Sequence, residues 1–135
     1  MARPQRITFL ASEAPAAQSA LKRLSARYGS APEAEAEVIV ALGGDGFMLQ
    51  TLHAMERRDI AVYGMNCGTI GFLMNEYEEG ELFDRLRAAE ETVINPLVMR
   101  AESAGGRVEE ALAINEVALL RAGPQAAKLR ISVDG

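Results

Sequence analysis

The chain has 135 residues and a net charge of −5, from 14 Lys and Arg against 19 Asp and Glu. It is sized for about one domain and lacks the cationic excess of a nucleic-acid-binding surface. Apolar residues make up 49% and charged residues 24%, too hydrophobic a mixture for a disordered chain. The apolar runs, such as residues 38–42, fall far short of the ~20 residues that cross a bilayer. Residues 1–6 lack the apolar core of a secretory signal. Cys67 is the only cysteine, so no intrachain disulfide is possible and a reducing compartment is expected. These features together predict a soluble, cytoplasmic chain of mixed α/β type with no membrane partner.

In chain order, residues 7–11 read as a first strand. Ser12 is placed to cap a helix with Pro15 in its first turn. Ala17, Ala20, Leu21, Leu24 and Tyr28 then follow at helical spacing, Lys22, Arg23 and Arg27 face outward, and Gly29 stops the helix. Residues 37–42 read as a strand buried on both faces, its apolar run continuous over 38–42. A glycine-rich turn at 43–46 leads into a second helix beginning near Phe47, with Phe47, Met48, Thr51, Leu52 and Met55 on one side. Residues 60–65 form a third strand and 66–71 a second glycine-containing loop. A third helix is expected over about 79–90, with Leu82, Phe83, Leu86 and Ala89 inward and Glu81 paired to Arg85. The order β-α-β-α-β-α predicts a parallel sheet with helices packed on it.

After Asn95-Pro96 the pattern changes. Residues 97–102 and 107–121 read as extended segments joined through 103–106 in a hairpin-like connection. Residues 128–133 alternate, with Leu129, Ile131 and Val133 on one face, and predict a half-buried strand. Asp134-Gly135 is a preferred hairpin pair with no returning strand after it, so the chain is expected to stop short of its natural length. The expected organisation is an α/β domain over 1–94 and the start of a second domain over 95–135.

Three segments are candidates for chemistry. Gly43-Gly44-Asp45-Gly46 lies between a buried parallel strand and a helix, at the carboxyl end of the sheet, where open α/β folds bind ligands. Glycines let the backbone approach a bulky anion, and the following helix directs N–H groups at a phosphate. A carboxylate repels phosphate, so Asp45 reads as a base for a hydroxyl or a metal partner, or else as a plain helix cap. No G-x-x-x-x-G-K-[ST] occurs, and the first strand is followed by Ser12-Glu13-Ala14 rather than G-x-G-x-x-G. The P-loop and the usual dinucleotide fingerprint are therefore both missing.

The second segment is Gly64-Met65-Asn66-Cys67-Gly68-Thr69-Ile70-Gly71-Phe72-Leu73. On a parallel sheet it emerges at the same end as 43–46, so the two loops are expected to share one crevice. Asn66 and Thr69 offer neutral donors and acceptors. Phe72 is suited either to stacking on a flat ring or to core packing. Cys67, without a neighbouring cation or His, reads as an inert thiol, and His53, without metal-ligand spacing, as a surface or packing residue. The third segment contains Asn115-Glu116, polar residues in an apolar extended stretch. Both reach one ligand only if the strand bends, bulges or ends there; otherwise one of them faces solvent.

Together the three segments resemble the NAD kinase family (ATP- or polyphosphate-dependent NAD kinases) over about residues 37–133. The G-G-D-G turn alone is shared with diacylglycerol and sphingosine lipid kinases and with 6-phosphofructokinases; the long second motif followed by Asn115-Glu116 is more specific. The resemblance implies an α/β fold, a parallel Rossmann-like sheet followed by the first strands of a mostly β, NAD-binding second domain. It implies phosphorylation of the adenosine 2′-hydroxyl of NAD by ATP or polyphosphate to give NADP, with a divalent cation such as Mg²⁺ assisting. It further implies Asp45 as general base, Gly44 and Gly46 beside the phosphates, and Asn66, Phe72, Asn115 and Glu116 as contacts to nucleotide. Homo-oligomers are usual in that family, so a homo-oligomer is expected. The alternatives are a G-G-D-G lipid kinase and a catalytically inactive nucleotide-binding fragment.

Overall fold

The all-aliphatic run Val38–Leu42 becomes the most protected stretch of the molecule, with exposures of 2% at Val38 and 0% from Ile39 to Leu42. It owes this to its place in the sheet. The computed structural model describes residues 6–69 and 71–135, so residues 1–5 and Ile70, which the sequence reading included, lie outside the description. In it β1 (Ile7–Ala11), β2 (Val38–Gly43), β3 (Ala61–Asn66) and the two-residue β4 (Asn75–Glu76) form a parallel sheet in the order β1-β2-β3-β4. β2 is flanked by β3 along its whole length (Val38↔Ala61 to Gly43↔Asn66) and by β1 from Val38 to Leu42 (Ile7↔Val38 to Ala11↔Leu42).

Helices cover both faces. α1 (Pro15–Tyr28) and α3 (Leu82–Ala88) meet the side chains of Val38, Val40 and Leu42. Ala17, Ala20 and Leu24 of α1 and Leu82 and Leu86 of α3 form one cluster there with Ile7, Phe9 and Met65. Neighbouring strand residues point to opposite faces, so Ile39 and Ala41 look the other way. On that side lies α2 (Asp45–Met55), whose Met48 sulfur stands 3.1 Å from where a Gly64 Cβ would be. Burying each leucine in such a cluster contributes about 1.5–3 kcal/mol.

Up to residue 113 the predicted elements are present, with shifted ends. Ser12 does not cap α1: the N-cap is Ala14, without a side-chain bond. The Ser12 N–H instead donates to Leu42 O at 2.9 Å, prolonging the β1–β2 ladder, and its carbonyl accepts Gln18 Nε2 at 2.8 Å. Pro15 opens the helix, and Gly29, at φ 74°, ends it in a conformation that glycine adopts without strain. α2 begins at Asp45, two residues before the position expected. Gly43 completes β2, Gly44 alone makes the turn, and the first helical bond runs from Met48 N–H to Gly44 O at 3.0 Å.

α3 is shorter than the predicted 79–90. Glu81 sits in the left-handed region at φ 51°, which keeps the helix from extending backward, and Ala89 is extended. The predicted Glu81–Arg85 pair is replaced. Arg85 donates to the carbonyls of Glu78 at 2.7 Å and Glu76 at 3.2 Å and to the Tyr63 hydroxyl at 3.2 Å, tying α3 to β3 and β4.

A separate hairpin follows. β5 (Leu97–Glu102) and β6 (Val108–Ala113) pair antiparallel from Glu102↔Val108 to Leu97↔Ala113. The second extended segment therefore ends eight residues before the predicted 121. The next rung would fall on Pro96, which has no N–H to donate. Residues 128–133 are not a strand. Among the described residues nothing pairs with them, and Leu129, Ile131 and Val133 are 70%, 84% and 80% exposed. An alternating pattern states which face is to be buried, and it needs a hydrogen-bonded neighbour to become a strand.

A polar clasp joins α1 to the segment before α3. Arg23 Nε bonds Glu79 Oε1 at 2.5 Å and Arg23 Nη2 bonds the Tyr77 hydroxyl at 3.2 Å. The Tyr77 hydroxyl donates to Glu79 Oε1 at 2.8 Å, and the Tyr28 hydroxyl donates to Glu79 O at 2.6 Å. The Tyr77 hydroxyl first, and Arg23 next, hold the Glu79 carboxyl below its ordinary range. A depressed folded-state pKa contributes stability above the unfolded value that is lost as pH falls through the folded one. Acidification below the ordinary glutamate range is expected to lower the melting temperature modestly, the clasp being screened at the surface. Glu79→Gln is expected to flatten that part of the profile, which thermal melts across acid pH check.

Candidate active site

β2 and β3 are parallel neighbours, so the loops that leave their carboxyl ends emerge side by side. The strands end at the same level, on the rung Gly43↔Asn66, and the Cys67 N–H donates to Gly43 O at 2.9 Å. The expected meeting of the two glycine loops is thus built by the sheet register itself.

Asp45 closes it. Its Oδ2 accepts the Phe72 N–H at 2.8 Å and its Oδ1 accepts the Leu73 N–H at 3.0 Å. Hydrogen bonds to an ionised acceptor are the strong kind. The carboxylate of the first loop is therefore seated on two successive backbone amides of the second, and it is not a helix cap. It remains part-buried at the first turn of α2.

The glycines of the first loop have different reasons. A Cβ at Gly43 would stand 2.9 Å from Phe47 Cβ, so the start of α2 packs directly on that backbone. Cβ atoms at Gly44 and Gly46 would meet nothing within 4 Å. Gly44 has an extended backbone (φ −122°, ψ −172°) that other residues adopt, so packing requires glycine at neither position, and the space beside them is open.

Asn66 holds its own loop in shape. Its Oδ1 accepts the Gly68 N–H at 3.0 Å and its Nδ2 donates to Thr69 O at 2.6 Å. The Phe72 ring, for which core packing was one reading, is 101% exposed, with Leu73 beside it at 46%. An exposed aromatic ring whose backbone is pinned is available for stacking.

Asn115 and Glu116 lie just beyond the end of β6, so the strand does end where the sequence reading required. Their side chains meet each other, Asn115 Nδ2 donating to Glu116 Oε2 at 2.7 Å, and both are exposed. No hydrogen bond joins them to the glycine loops among the described residues. Their neighbour Ile114 lines an open groove of about 720 Å³ that Phe72, Leu73, Gly64 and Met48 also line.

Cys67 is half-buried and its Sγ lies 3.7 Å from Met65 O. Burial pushes its thiol up, outweighing the nearby Arg23, so it carries little thiolate at neutral pH, consistent with an inert side chain. His53 is exposed, with Nδ1 3.1 Å from Glu56 Oε2. Among the described residues no three His, Cys, Asp or Glu converge as a metal cage, and no helix is long and apolar enough to cross a membrane.

The sequence reading missed the role of the Phe72 and Leu73 amides and of Gly71 beside them. Backbone donors carry no residue signature, and these lie 27 and 28 positions from Asp45.

A parallel sheet covered by helices, with two glycine loops locked together by one carboxylate at its carboxyl edge, defines an α/β chain of the Rossmann-like class. Residues 3–93 match the ATP-NAD kinase N-terminal domain, and the chain belongs to that family. A protein named NAD kinase from Cereibacter sphaeroides is 65% identical over 132 residues, 98% of this chain and 52% of that protein. NAD kinases from Caulobacter vibrioides (55% over 130 residues) and Xylella fastidiosa (50% over 130 residues) each align with 96% of this chain and 50% of their own length. The chain spans about half the length of the curated relatives it matches.

Proposed function

We propose that this chain is the G-G-D-G half of an NAD kinase, which phosphorylates the adenosine 2′-hydroxyl of NAD with ATP or polyphosphate to make NADP. The observation that carries the reading is the Asp45 carboxylate, held between two glycine loops next to open space and an exposed aromatic ring. The relatives named NAD kinase support the substrate.

In the proposed transfer the ribose 2′-oxygen attacks the terminal phosphorus of the donor. The new O–P bond forms as the bond to the leaving phosphate breaks, and the hydroxyl proton passes to Asp45. A carboxylate has about four lone-pair positions, so after accepting the two amides Asp45 keeps room to accept that proton. The N–H groups of the first turn of α2 have no acceptors within the helix, and they face the phosphates beside Gly44 and Gly46. Phe72 stacks on a nucleotide ring, and Asn66, Asn115 and Glu116 supply polar contacts. Positioning and charge stabilisation supply most of the acceleration in phosphoryl transfer. The divalent cation implied by the resemblance has no donor cage among the described residues, so no step here runs through it.

The family match ends at residue 93 and the hairpin begins at Leu97. These support a first unit over 1–94 and the opening of a β-rich, NAD-binding unit over 95–135. A cytoplasmic homo-oligomer is part of the same proposal, on the family resemblance.

The test supplies labelled ATP with NAD or with diacylglycerol, to this chain and to one of the relatives' length, with calorimetry of NAD on both. Label in NADP is expected. Label in lipid alone makes the protein a lipid kinase, and NAD binding without turnover in either chain makes it a binding module.

A further inference from the structure

Gly71 stands where the second loop meets Asp45, and its missing side chain is filled by the carboxylate. A Cβ built at Gly71 would lie 2.7 Å from Asp45 Cγ, 2.9 Å from Oδ2 and nearer still to Oδ1. Real Cβ atoms do not approach other atoms so closely, so the two cannot coexist as they stand. The next two residues, Phe72 and Leu73, donate the amides that hold the same carboxylate. Three consecutive residues therefore form one seat, with Gly71 as its floor and two N–H groups as its clamp. We infer that Gly71 is a positioning residue, whose lack of a side chain sets where the Asp45 carboxylate sits and hence where the acceptor hydroxyl must come. The functional half of this inference rests on Asp45 being the group that meets that hydroxyl; the seat itself does not.

The geometry states what yields when a methyl is added. Asp45 has a short side chain, and the three atoms nearest the new one all belong to its terminal group. The carboxylate is displaced from the amides while the sheet below stays in place. The contact is absent if Asp45 lacks its carboxylate, so Gly71→Ala and Asp45→Ala act through one interaction and their effects do not add.

Amide hydrogen exchange by NMR on this chain, without substrate, tests the seat in the wild type, Gly71→Ala, Asp45→Ala and the double variant. Loss of a charge-assisted bond is expected to speed exchange at Phe72 and Leu73 by about tenfold or more in either single variant. The double variant is expected to exchange no faster than the singles, with Val40 and Leu42 protected throughout. Unchanged exchange at Phe72 and Leu73 in Gly71→Ala, or multiplied effects in the double variant, overturns the inference. If Gly71→Ala alone fails to fold, the inference requires that Asp45→Ala restore folding by removing the clash; a double variant that stays unfolded overturns it. In turnover of NAD, Gly71→Ala is expected to lower kcat more than it raises KM. A failed kinase assay with intact exchange results counts against the proposed function alone.

Discussion

Asp45→Asn is expected to lower NADP formation by a factor of about 10² or more, the usual cost of losing a positioned general base. The geometry makes the substitution more informative than a charge deletion. The aspartate accepts one amide on each oxygen, Phe72 N–H at 2.8 Å and Leu73 N–H at 3.0 Å. An asparagine offers one oxygen and one NH₂ group, so one of those amides faces another donor. The sheet below does not depend on the contact, because Leu42, Val40 and Met65 are buried by their own neighbours. The variant is therefore expected to keep its circular dichroism while the loop 72–73 loosens on one side. Initial rates with NAD and ATP, measured beside the unsubstituted protein in a chain of the relatives' length, check the result. A variant with undiminished rate removes Asp45 from the mechanism, whatever its place between the two loops.

The largest expected loss of stability comes from Leu42→Ala. Leu42 is fully buried in the cluster with Ala17, Leu24, Met65 and Leu82. Truncating such a leucine typically costs about 2–5 kcal/mol, the upper end applying where neighbours cannot close on the gap. Here the neighbours on either side are sheet backbone, paired at Ala11↔Leu42 and Leu42↔Met65, so collapse is restricted. A domain stable by about 5–15 kcal/mol loses a large share of its margin by this one change. Urea titration followed by circular dichroism measures it, and a loss below about 1 kcal/mol would mean the cavity is refilled. The consequence reaches the site, because Gly43, the next residue, takes the Cys67 amide that joins the two loops.

Where the sequence reading succeeded, the signal was local. The aliphatic run of β2, the helical spacing of α1 and the stop at Gly29 are each contained in a dozen residues or so, and each appears as expected. Where it slipped, a partner outside the window decided. Ser12 joined the ladder to Leu42, Arg85 turned to Glu78 and Tyr63, and residues 128–133 met no neighbouring strand. Phe72 shows the same limit from another side. Its place in the motif was legible, while the choice between a core ring and an exposed one depended on how the loop left the sheet.

By itself, then, the sequence determined the order of β1, α1, β2, α2, β3 and α3 and the place of the two glycine loops, because periodicity and turn chemistry are short-range properties of the chain. The motifs in those loops carried the family resemblance, while the short β4 and the unpaired 128–133 lay beyond local signals. Only the tertiary structure decided that the Asp45 carboxylate rests on the amides of Phe72 and Leu73 with Gly71 beneath it. Those groups are backbone N–H donors and an absent side chain, which no residue pattern distinguishes. They come together because β2 and β3 lie parallel and in register and end on the same rung of the sheet.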